Sequence, residues 1–346
     1  MVKMFNKKSA CFTTDKSGKW VANEIPLGTN PDYLASFVKT LNEIEPIFRK
    51  AKNTSEFDLI LSLLSVRSVQ DAGWDTYETI RDIKKSFLEA HKKLQYEGDA
   101  AGHFTLYQYG LILEASEYYE KLATILEVAG GQPFRANVVT FTKDKNGKII
   151  HLKPIDKIAK LKSLAKKVNL PLTVFDDFYD NHLRNAVFHC DFTFYNHEVR
   201  TLNPDKIYSY SEVLTLFNGA WGYSDAFDFI IDNYRASYTK PVKIPVPSYF
   251  GSSGEKAQLI IRKGRGVIGL KDAFSKKELS QGKIDWRLSR PLSYEVKLID
   301  SGVYLLPEDR FEKINKIIRL FPKRFRPFLV EKINSSNRVK QYLTHR

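Results

Sequence analysis

Residues 173–191, TVFDDFYDNHLRNAVFHCD, combine a helical repeat of apolar residues with several polar side chains. At about 100° per residue, the repeat predicts one helix over Thr173–Asp191 with one buried face. His182, Asn185 and His189 fall together beside that face. Arg184 lies about 140° from His189, so one helix alone does not bring the guanidinium to the imidazole. The apolar face comprises Phe175, Tyr179, Leu183, Ala186, Val187 and Cys190.

Arg184, Asn185 and His189 are the candidate catalytic residues, because they supply the groups that RNA cleavage without a metal requires. A base takes the 2′-hydroxyl proton, a fixed cation stabilises the phosphorane, and an acid protonates the leaving oxygen. Arginine keeps its charge and grips phosphate with a planar fork, and histidine exchanges protons near neutral pH. The alternative is an exposed polar face on which Asp180 pairs with Arg184 at i,i+4. His182 is either an RNA contact or an ordinary surface residue.

The hexapeptide Arg184–His189 resembles the signature of the HEPN superfamily, in which an arginine is followed by a polar residue, three further residues and a histidine. The resemblance implies a metal-independent endoribonuclease of toxin or antiphage defence systems, which causes growth arrest. It also implies roles: His189 as general base or acid, Arg184 on the scissile phosphate, and Asn185 orienting His189 or the phosphate. The implied products are a 2′,3′-cyclic phosphate and a 5′-hydroxyl.

The resemblance further implies a homodimer whose two-fold axis places two motifs in one cleft. The chain holds no second copy of the motif, so a composite site would need a second copy of the chain. Phe178 and Phe188 are large aromatic residues beside the polar cluster and away from the apolar face. We therefore predict that both lie at the dimer interface.

The remaining periodicity predicts a mainly α fold. We expect an up-and-down, HEPN-like helical bundle with short β-hairpin insertions over residues 1–240, and a small α+β domain over residues 241–346. Asn146-Gly147 between apolar runs predicts a hairpin within residues 138–153. A second hairpin within residues 191–202 would hold Tyr195 and His197, candidate RNA contacts, near the end of the motif helix. The predicted helices cover about 31–50, 57–66, 71–95, 103–128, 156–168 and 211–238, and residues 241–247 read as an extended linker.

The net charge of +14 is concentrated at the end of the chain. Residues 1–240 hold 31 basic and 30 acidic residues, whereas residues 241–346 hold 23 and 10. This excess predicts a module that binds a polyanion such as RNA; the alternative is a basic surface kept for solubility or for an acidic protein. Two segments supply the candidate RNA contacts, the second interleaved with aromatic residues as single-stranded RNA favours. These contacts are Arg262, Lys263 and Arg265, then Lys323, Arg324 and Arg326.

Other function classes lack their signatures. The two cysteines, Cys11 and Cys190, make neither a disulfide framework nor a zinc site, and Cys190 falls on the predicted buried face. There is no phosphate-binding loop, nucleophile elbow or His-Glu-x-x-His motif, so we expect no metal and no cofactor. Without an apolar leader or spanning segment, a cytoplasmic protein that does not enter a membrane is expected. Any antitoxin or regulatory partner would be a separate chain. The competing interpretations are a non-catalytic HEPN-like module that dimerises or binds nucleotide or nucleic acid, and a structural subunit of a larger complex.

Overall fold

The fold is mainly helical, as predicted. The computed structural model describes residues 12–22, 29–64, 76–93, 99–135, 137–143, 145–146, 148–196, 198–249, 254, 256–262 and 264–272. Among these residues, no helix is both long and apolar enough to cross a membrane. The helices are α1 (Pro31–Thr54), α2 (Glu56–Leu64), α3 (Thr76–Lys93), α4 (Asp99–Glu114), α5 (Ser116–Ala129), α6 (Pro154–Lys167), α7 (Asn181–His189) and α8 (Tyr210–Ser237).

The strands form small antiparallel sheets. Two of these sheets are two-stranded, β1–β2 and β3–β4, and two are three-stranded, β5–β6–β7 and β8–β9–β10 with β9 in the middle. The β3–β4 and β5–β6 pairs confirm the two predicted hairpins, and β7 extends the second one. The strands are β1 (Phe12–Thr14), β2 (Trp20–Ala22), β3 (Phe141–Lys143), β4 (Ile149–His151), β5 (Phe192–Tyr195), β6 (Glu198–Thr201), β7 (Lys206–Ser209), β8 (Lys243–Pro245), β9 (Lys256–Arg262) and β10 (Gly266–Asp272).

The chain divides into two compact units that interleave along the sequence. The first comprises residues 1–54, 76–132 and 138–231, and the second comprises residues 55–75, 133–137 and 232–346. Within the second unit, apolar residues of α2 and of β8–β10 share one core. Part of the predicted linker is therefore a paired strand, because β8 forms a ladder with β9. The predicted domain of residues 241–346 stays a prediction, since residues 273–346 lie outside the described part of the chain.

Helix α1 shows how local sequence builds the first unit. The side chain of Asn30 accepts hydrogen bonds from the backbone N–H groups of Asp32 and Tyr33, and Pro31 occupies the first helical position. The buried face of α1 includes Phe37, Ile44 and other apolar residues at helical spacing. It packs against α5, which in turn packs against α6. The expected amphipathic pattern thus gives the core of this unit.

A buried ionic network lies in the same unit. Lys84 of α3 is 5% exposed, and its Nζ is 2.7 Å from Oδ1 of Asp225 and 3.0 Å from Oδ2 of Asp228. Tyr33 donates a hydrogen bond to Asp225, and Tyr77 donates one to Asp228. Burial alone would lower the pKa of Lys84, but the two carboxylates outweigh burial and hold the pKa well above its ordinary value. The network joins α1, α3 and α8 through charge rather than apolar contact.

The predicted single helix over residues 103–128 is wrong. The backbone at Ala115 leaves the helical region, with φ −62° and ψ 83°, and separates α4 from α5. Helix α4 also begins at Asp99, so Gly102 lies inside the helix instead of forming a break. A Cβ on Gly102 would lie 2.6 Å from the ring of Phe194. The glycine therefore permits the close approach of β5. A helix-propensity scale, by contrast, interprets the same glycine as a helix breaker.

The predicted single helix over residues 173–191 is also wrong. A 3₁₀ turn at Val174–Asp177 comes first, and α7 begins only at Asn181. The carboxylate of Glu43 on α1 accepts hydrogen bonds from the N–H groups of Thr173 and Val174, at 2.7 and 2.9 Å, and so fixes the turn from outside the segment. Phe178 lies between the turn and α7. It is 1% exposed and its ring packs against Tyr223, so this side chain belongs to the core and is not available to a partner.

Candidate functional site

The motif helix α7 is anchored at its N-terminus by Asp180. Oδ1 of Asp180 accepts hydrogen bonds from the N–H groups of His182 and Leu183, both at 2.8 Å. This is an N-cap, and it accepts hydrogen bonds from two of the four N–H groups that a helix leaves unpaired. Leu183, Ala186 and Val187 form the buried face of α7. The predicted apolar stripe therefore holds for α7 itself.

The β6–β7 strands hold the same end of the helix. Oδ2 of Asp180 accepts hydrogen bonds from Nζ of Lys206 at 3.0 Å and from the hydroxyl of Tyr208 at 2.9 Å. Burial would raise the pKa of Asp180, but the hydrogen bonds from Leu183, Lys206 and Tyr208 outweigh burial and lower it. The carboxylate thus stays charged and links the helix to the sheet.

His182 also turns towards this sheet. Its Nε2 is 2.7 Å from Oγ1 of Thr201, and its ring lies nearly parallel to that of Tyr208, with centroids 6.4 Å apart. The imidazole is therefore engaged in joining α7 to β6 and β7. This engagement favours a positioning role over the predicted contact with RNA.

Arg184 is held by α4, a helix for which the sequence predicts no contact with the motif. Its guanidinium forms an ion pair with Glu114 at the end of α4, and its Nη1 donates a hydrogen bond to Oδ1 of Asn185 at 2.6 Å. Nε is buried and has no hydrogen-bond partner among the described residues. Burial lowers the pKa of Arg184 from its ordinary value, and the group remains a cation near neutral pH. The alternative pairing with Asp180 is wrong, because Asp180 is occupied by the cap and the sheet.

Helix α4 also forms a wall beside the far end of α7. The exposed ring of Phe188 rests on Gly110, where a Cβ would lie 2.9 Å from Cε2 of the ring. The same ring centre is 5.6 Å from Cζ of Arg184. Phe188 is thus exposed, as an interface residue must be, but it also packs within its own chain. Its predicted place in a dimer interface stays a prediction.

The C-terminal end of α7 differs from the predicted helix. Cys190 has a left-handed backbone, with φ 57°, and its N–H caps the helix by bonding to the carbonyls of Ala186 and Val187. The thiol is exposed, so the predicted burial of Cys190 is wrong. It lies beside the hydroxyl of Tyr107 on α4, and the hydrogen bond between them raises the pKa of Tyr107. The αL residue ends the helix and lets β5 begin at Phe192.

His189 is the last residue of α7 and is exposed. Its imidazole makes no hydrogen bond or ion pair within the described part of the chain. Asn185 precedes His189 by one helical turn, as predicted. The side-chain oxygen of Asn185 accepts a hydrogen bond from Arg184. The site therefore offers a restrained cation facing α4 and an unengaged imidazole facing solvent. No hydrogen bond or ring contact joins these two groups within one chain.

The other predicted RNA contacts fall into three groups. Tyr195 is exposed at the end of β5, and Cζ of Arg200 lies 4.4 Å from its ring centre. Arg265 is exposed in the turn between β9 and β10, and the backbone of Arg262 pairs with Gly266 in the same hairpin. The remaining candidates lie outside the described residues. They are His197, Lys263, Lys323, Arg324 and Arg326.

Glu114 and Tyr107 of α4 contact Arg184 and Cys190, and neither residue was predicted from the sequence. Glu114 is about seventy positions from Arg184, and no local pattern marks such a contact. Gly110 carried a usable signal, because a glycine inside a helix costs about 1 kcal/mol and is often kept for a close approach. Asp180 carried a second signal, since it is a typical N-cap residue directly before α7.

Within the described residues, no group of three or more His, Cys, Asp or Glu side chains could hold a metal ion. Comparison of the chain with protein-family models, with curated proteins and with solved structures finds no match. The resemblance to HEPN proteins therefore continues to rest on the motif and on the helical pattern around it.

Proposed function

We propose that the protein is an endoribonuclease that cleaves RNA without a metal, by attack of the 2′-hydroxyl on the adjacent phosphorus. The observation that carries the proposal is the pairing, on one short capped helix, of a positioned guanidinium with an exposed and unengaged imidazole. Toxin or antiphage action by growth arrest is the biological role that the motif resemblance favours. A substrate RNA and a second copy of the chain are the partners this proposal needs.

The reaction uses His189 for proton transfer and Arg184 for charge, while Asn185 orients His189 or the phosphate. His189 takes the 2′-hydroxyl proton while the 2′ oxygen bonds to phosphorus. The phosphorane gains negative charge, which Arg184 stabilises at close range. The P–O5′ bond then breaks, and a protonated imidazole gives its proton to the 5′ oxygen. The products are a 2′,3′-cyclic phosphate and a 5′-hydroxyl, so atoms and charges balance without water.

A second copy of the chain would supply what one copy lacks. Within one chain Arg184 faces α4 and His189 faces solvent, and a single imidazole cannot be base and acid in the same step. Two copies related by a two-fold axis would offer two imidazoles and two guanidiniums to one phosphate. The homodimer with a composite site is therefore part of the proposal.

The test is cleavage of an RNA panel by the full chain in excess EDTA. We expect the wild type to cleave and His189→Ala to be inactive. His103→Ala is the matched control, because His103 is also an exposed histidine but lies on α4 outside the motif. RNA with a 2′-deoxy residue at the cleaved position should resist cleavage. Equal cleavage by the wild type and His189→Ala would refute the assignment.

One observation favours a second candidate, a non-catalytic module that binds nucleic acid or nucleotide or dimerises. The guanidinium of Arg184 is already neutralised by Glu114, as in a structural ion pair. In this case the wild type and His189→Ala would bind RNA with equal affinity and neither would cleave it. The same preparations, tested by filter binding and by gel, distinguish the two functions.

A further inference from the structure

The β3–β4 hairpin exposes an unusual concentration of apolar side chains. Within the hairpin Ile149 is 63% exposed, Ile150 41% and Phe141 38%, and Ile155, at the start of α6, is 44% exposed. Every residue of β4 is exposed. Single exposed apolar residues are ordinary, but the two isoleucines of β4 leave both faces of one strand apolar and uncovered, as is typical of an interaction surface.

The outer edge of β4 presents unpaired backbone groups. Phe141 lies opposite His151 and Thr142 opposite Ile150, and the N–H of Leu152 donates to the carbonyl of Thr140. Because antiparallel ladders alternate, Thr142 and Ile150 exchange hydrogen bonds within the hairpin. The N–H and C=O of Ile149 and His151 then point away from β3. No other strand of the described chain pairs with this edge.

We propose that β4 pairs with β4 of a second copy of this chain, antiparallel about a two-fold axis. The four strands then form one sheet in the order β3, β4, partner β4, partner β3. In this register Ile149 lies opposite the partner subunit's His151, and the two exchange backbone hydrogen bonds. Ile150 lies opposite the partner subunit's Ile150 at the axis. The inference uses no residue of the motif, so it stands apart from the proposed ribonuclease activity. Where the composite motif site also forms within the dimer, the same two-fold axis serves both contacts.

The side chains of β4 suit a copy of themselves. The positions nearest the axis carry no lysine, arginine or carboxylate. On one face Ile150 meets the partner subunit's Ile150, and on the other Ile149 meets the partner subunit's His151. Lys148 falls opposite the partner subunit's Leu152, so that like charges are not directly opposed. Lys145, Lys148 and Lys153 are exposed around the strand, where charge limits further edge-to-edge addition. A two-fold contact also closes on itself, so pairing ends at a dimer.

A two-stranded hairpin is marginally stable by itself in water, and either further strands with an apolar face or packing against a helix stabilises it. Pairing at β4 supplies both extra strands and cover for the exposed isoleucines. An RNA or an acidic protein would instead engage the lysines, which lie at the ends of the edge. The centre of the edge therefore favours the second copy.

Disulfide trapping tests the register directly. We would place Ile150→Cys in a background of Cys11→Ser and Cys190→Ser. The two Cα atoms at a non-hydrogen-bonded antiparallel pair are about 4.5 Å apart, within the range that a disulfide accepts. Thr142→Cys is the matched control, because Thr142 is on the same face but one strand further out. Its two copies would be separated by three strand spacings, roughly 14 Å.

We expect a covalent dimer on a non-reducing gel for Ile150→Cys and none for Thr142→Cys. Light scattering across a dilution series gives the second measurement, with a dimer of twice 39.9 kDa expected for the wild type. Ile149→Pro removes an N–H that points outward and spares the hairpin ladder, so it should give monomers. Lys143→Pro is its control on the β3 edge and should leave the dimer intact.

Two outcomes would overturn the proposal. The first is a wild type that scatters as a monomer while Ile150→Cys fails to cross-link. The second is a dimer that Ile149→Pro leaves unchanged, with circular dichroism showing a folded variant, since the interface would then lie elsewhere. His189→Ala should dimerise like the wild type whether or not the chain cleaves RNA, so the two proposals fail separately.

Discussion

Replacing Lys84 by methionine should destabilise the first unit strongly. Lys84 is the cation of a buried network and contacts the carboxylates of Asp225 and Asp228 at 2.7 and 3.0 Å. Methionine fills a similar volume, so the change removes the charge without opening a large cavity. Both carboxylates, of which 21% and 15% of the side chain is exposed, would keep only tyrosine hydroxyls as donors.

The expected loss of unfolding free energy is about 4 kcal/mol. Removing one partner of a buried ion pair typically costs roughly 3–5 kcal/mol, because the remaining charge is uncompensated. The ammonium also lies 5.6 Å from the ring centre of Trp221, a cation–π contact worth roughly 1 kcal/mol. Relaxation of the two carboxylates towards solvent would offset part of this sum.

The pH dependence follows from the raised pKa of Lys84. A folded pKa above the unfolded value means that the stabilisation is fully present below the unfolded pKa of about 10.4. It is lost only as pH rises through the folded pKa, so neutral pH reports the whole effect.

Urea denaturation followed by fluorescence and circular dichroism measures the effect, with the slope checked for constancy. Lys85→Met is the matched control, because Lys85 is 58% exposed and pairs with the exposed Asp82. It should cost less than about 1 kcal/mol, as surface pairs do. If Lys84→Met costs no more than Lys85→Met, the buried network does not stabilise the fold and the reasoning fails.

Three further changes test the supports of the site and the core by the same denaturation assay. Gly110→Val should cost about 1–3 kcal/mol by displacing Phe188, and an unchanged midpoint would contradict that packing. Asp180→Asn should lower the free energy of unfolding at neutral pH. Because the pKa of Asp180 is depressed in the folded protein, the difference in stability between wild type and variant should vanish as pH falls through the folded pKa. A difference that does not depend on pH would refute this. Glu120→Gln should cost about 1–3 kcal/mol, since the buried carboxylate of Glu120 accepts the N–H groups of Val138 and Val139 and an amide has one acceptor fewer; no loss would count against this role.

Local chemistry was sufficient to predict the elements whose ends are set locally. Asn30-Pro31 starts α1, Gly130 ends α5, and Asn146-Gly147 marks the turn of a hairpin. In each case the residues that decide the conformation are neighbours in sequence, so a pattern of a few positions contains the answer. The mainly α fold follows from the sum of such segments.

The segment before the motif could not be predicted in this way. The apolar residues from Phe175 to Val187 have the spacing of one helix. The chain instead forms a 3₁₀ turn at Val174–Asp177 and then a separate helix, α7. Glu43, 130 positions away, caps the backbone at Thr173, and Asp180 starts a new helix. Phe175 is buried, as the helical period predicts, but Phe178, which the period places off the buried face, is buried as well. Burial in this segment therefore reflects a shared core rather than one helix.

The orientation of Arg184 is the decisive feature that the sequence could not supply. A helical wheel gives only the direction of the Cα–Cβ bond. The position of the guanidinium is set by its contacts with Glu114 and Asn185. A phosphate arriving at the motif therefore meets a cation whose two Nη groups are already engaged. The remaining donor is Nε, which is buried and has no partner in the described chain. An anion can reach the guanidinium either by replacing Glu114 or by gaining access to Nε, and the ring of Phe188 lies close enough to the guanidinium to govern the second route. Because that ring is exposed and rests on a glycine, we expect the packing of α4 against α7 to control, in the proposed ribonuclease, how the cation meets a phosphate.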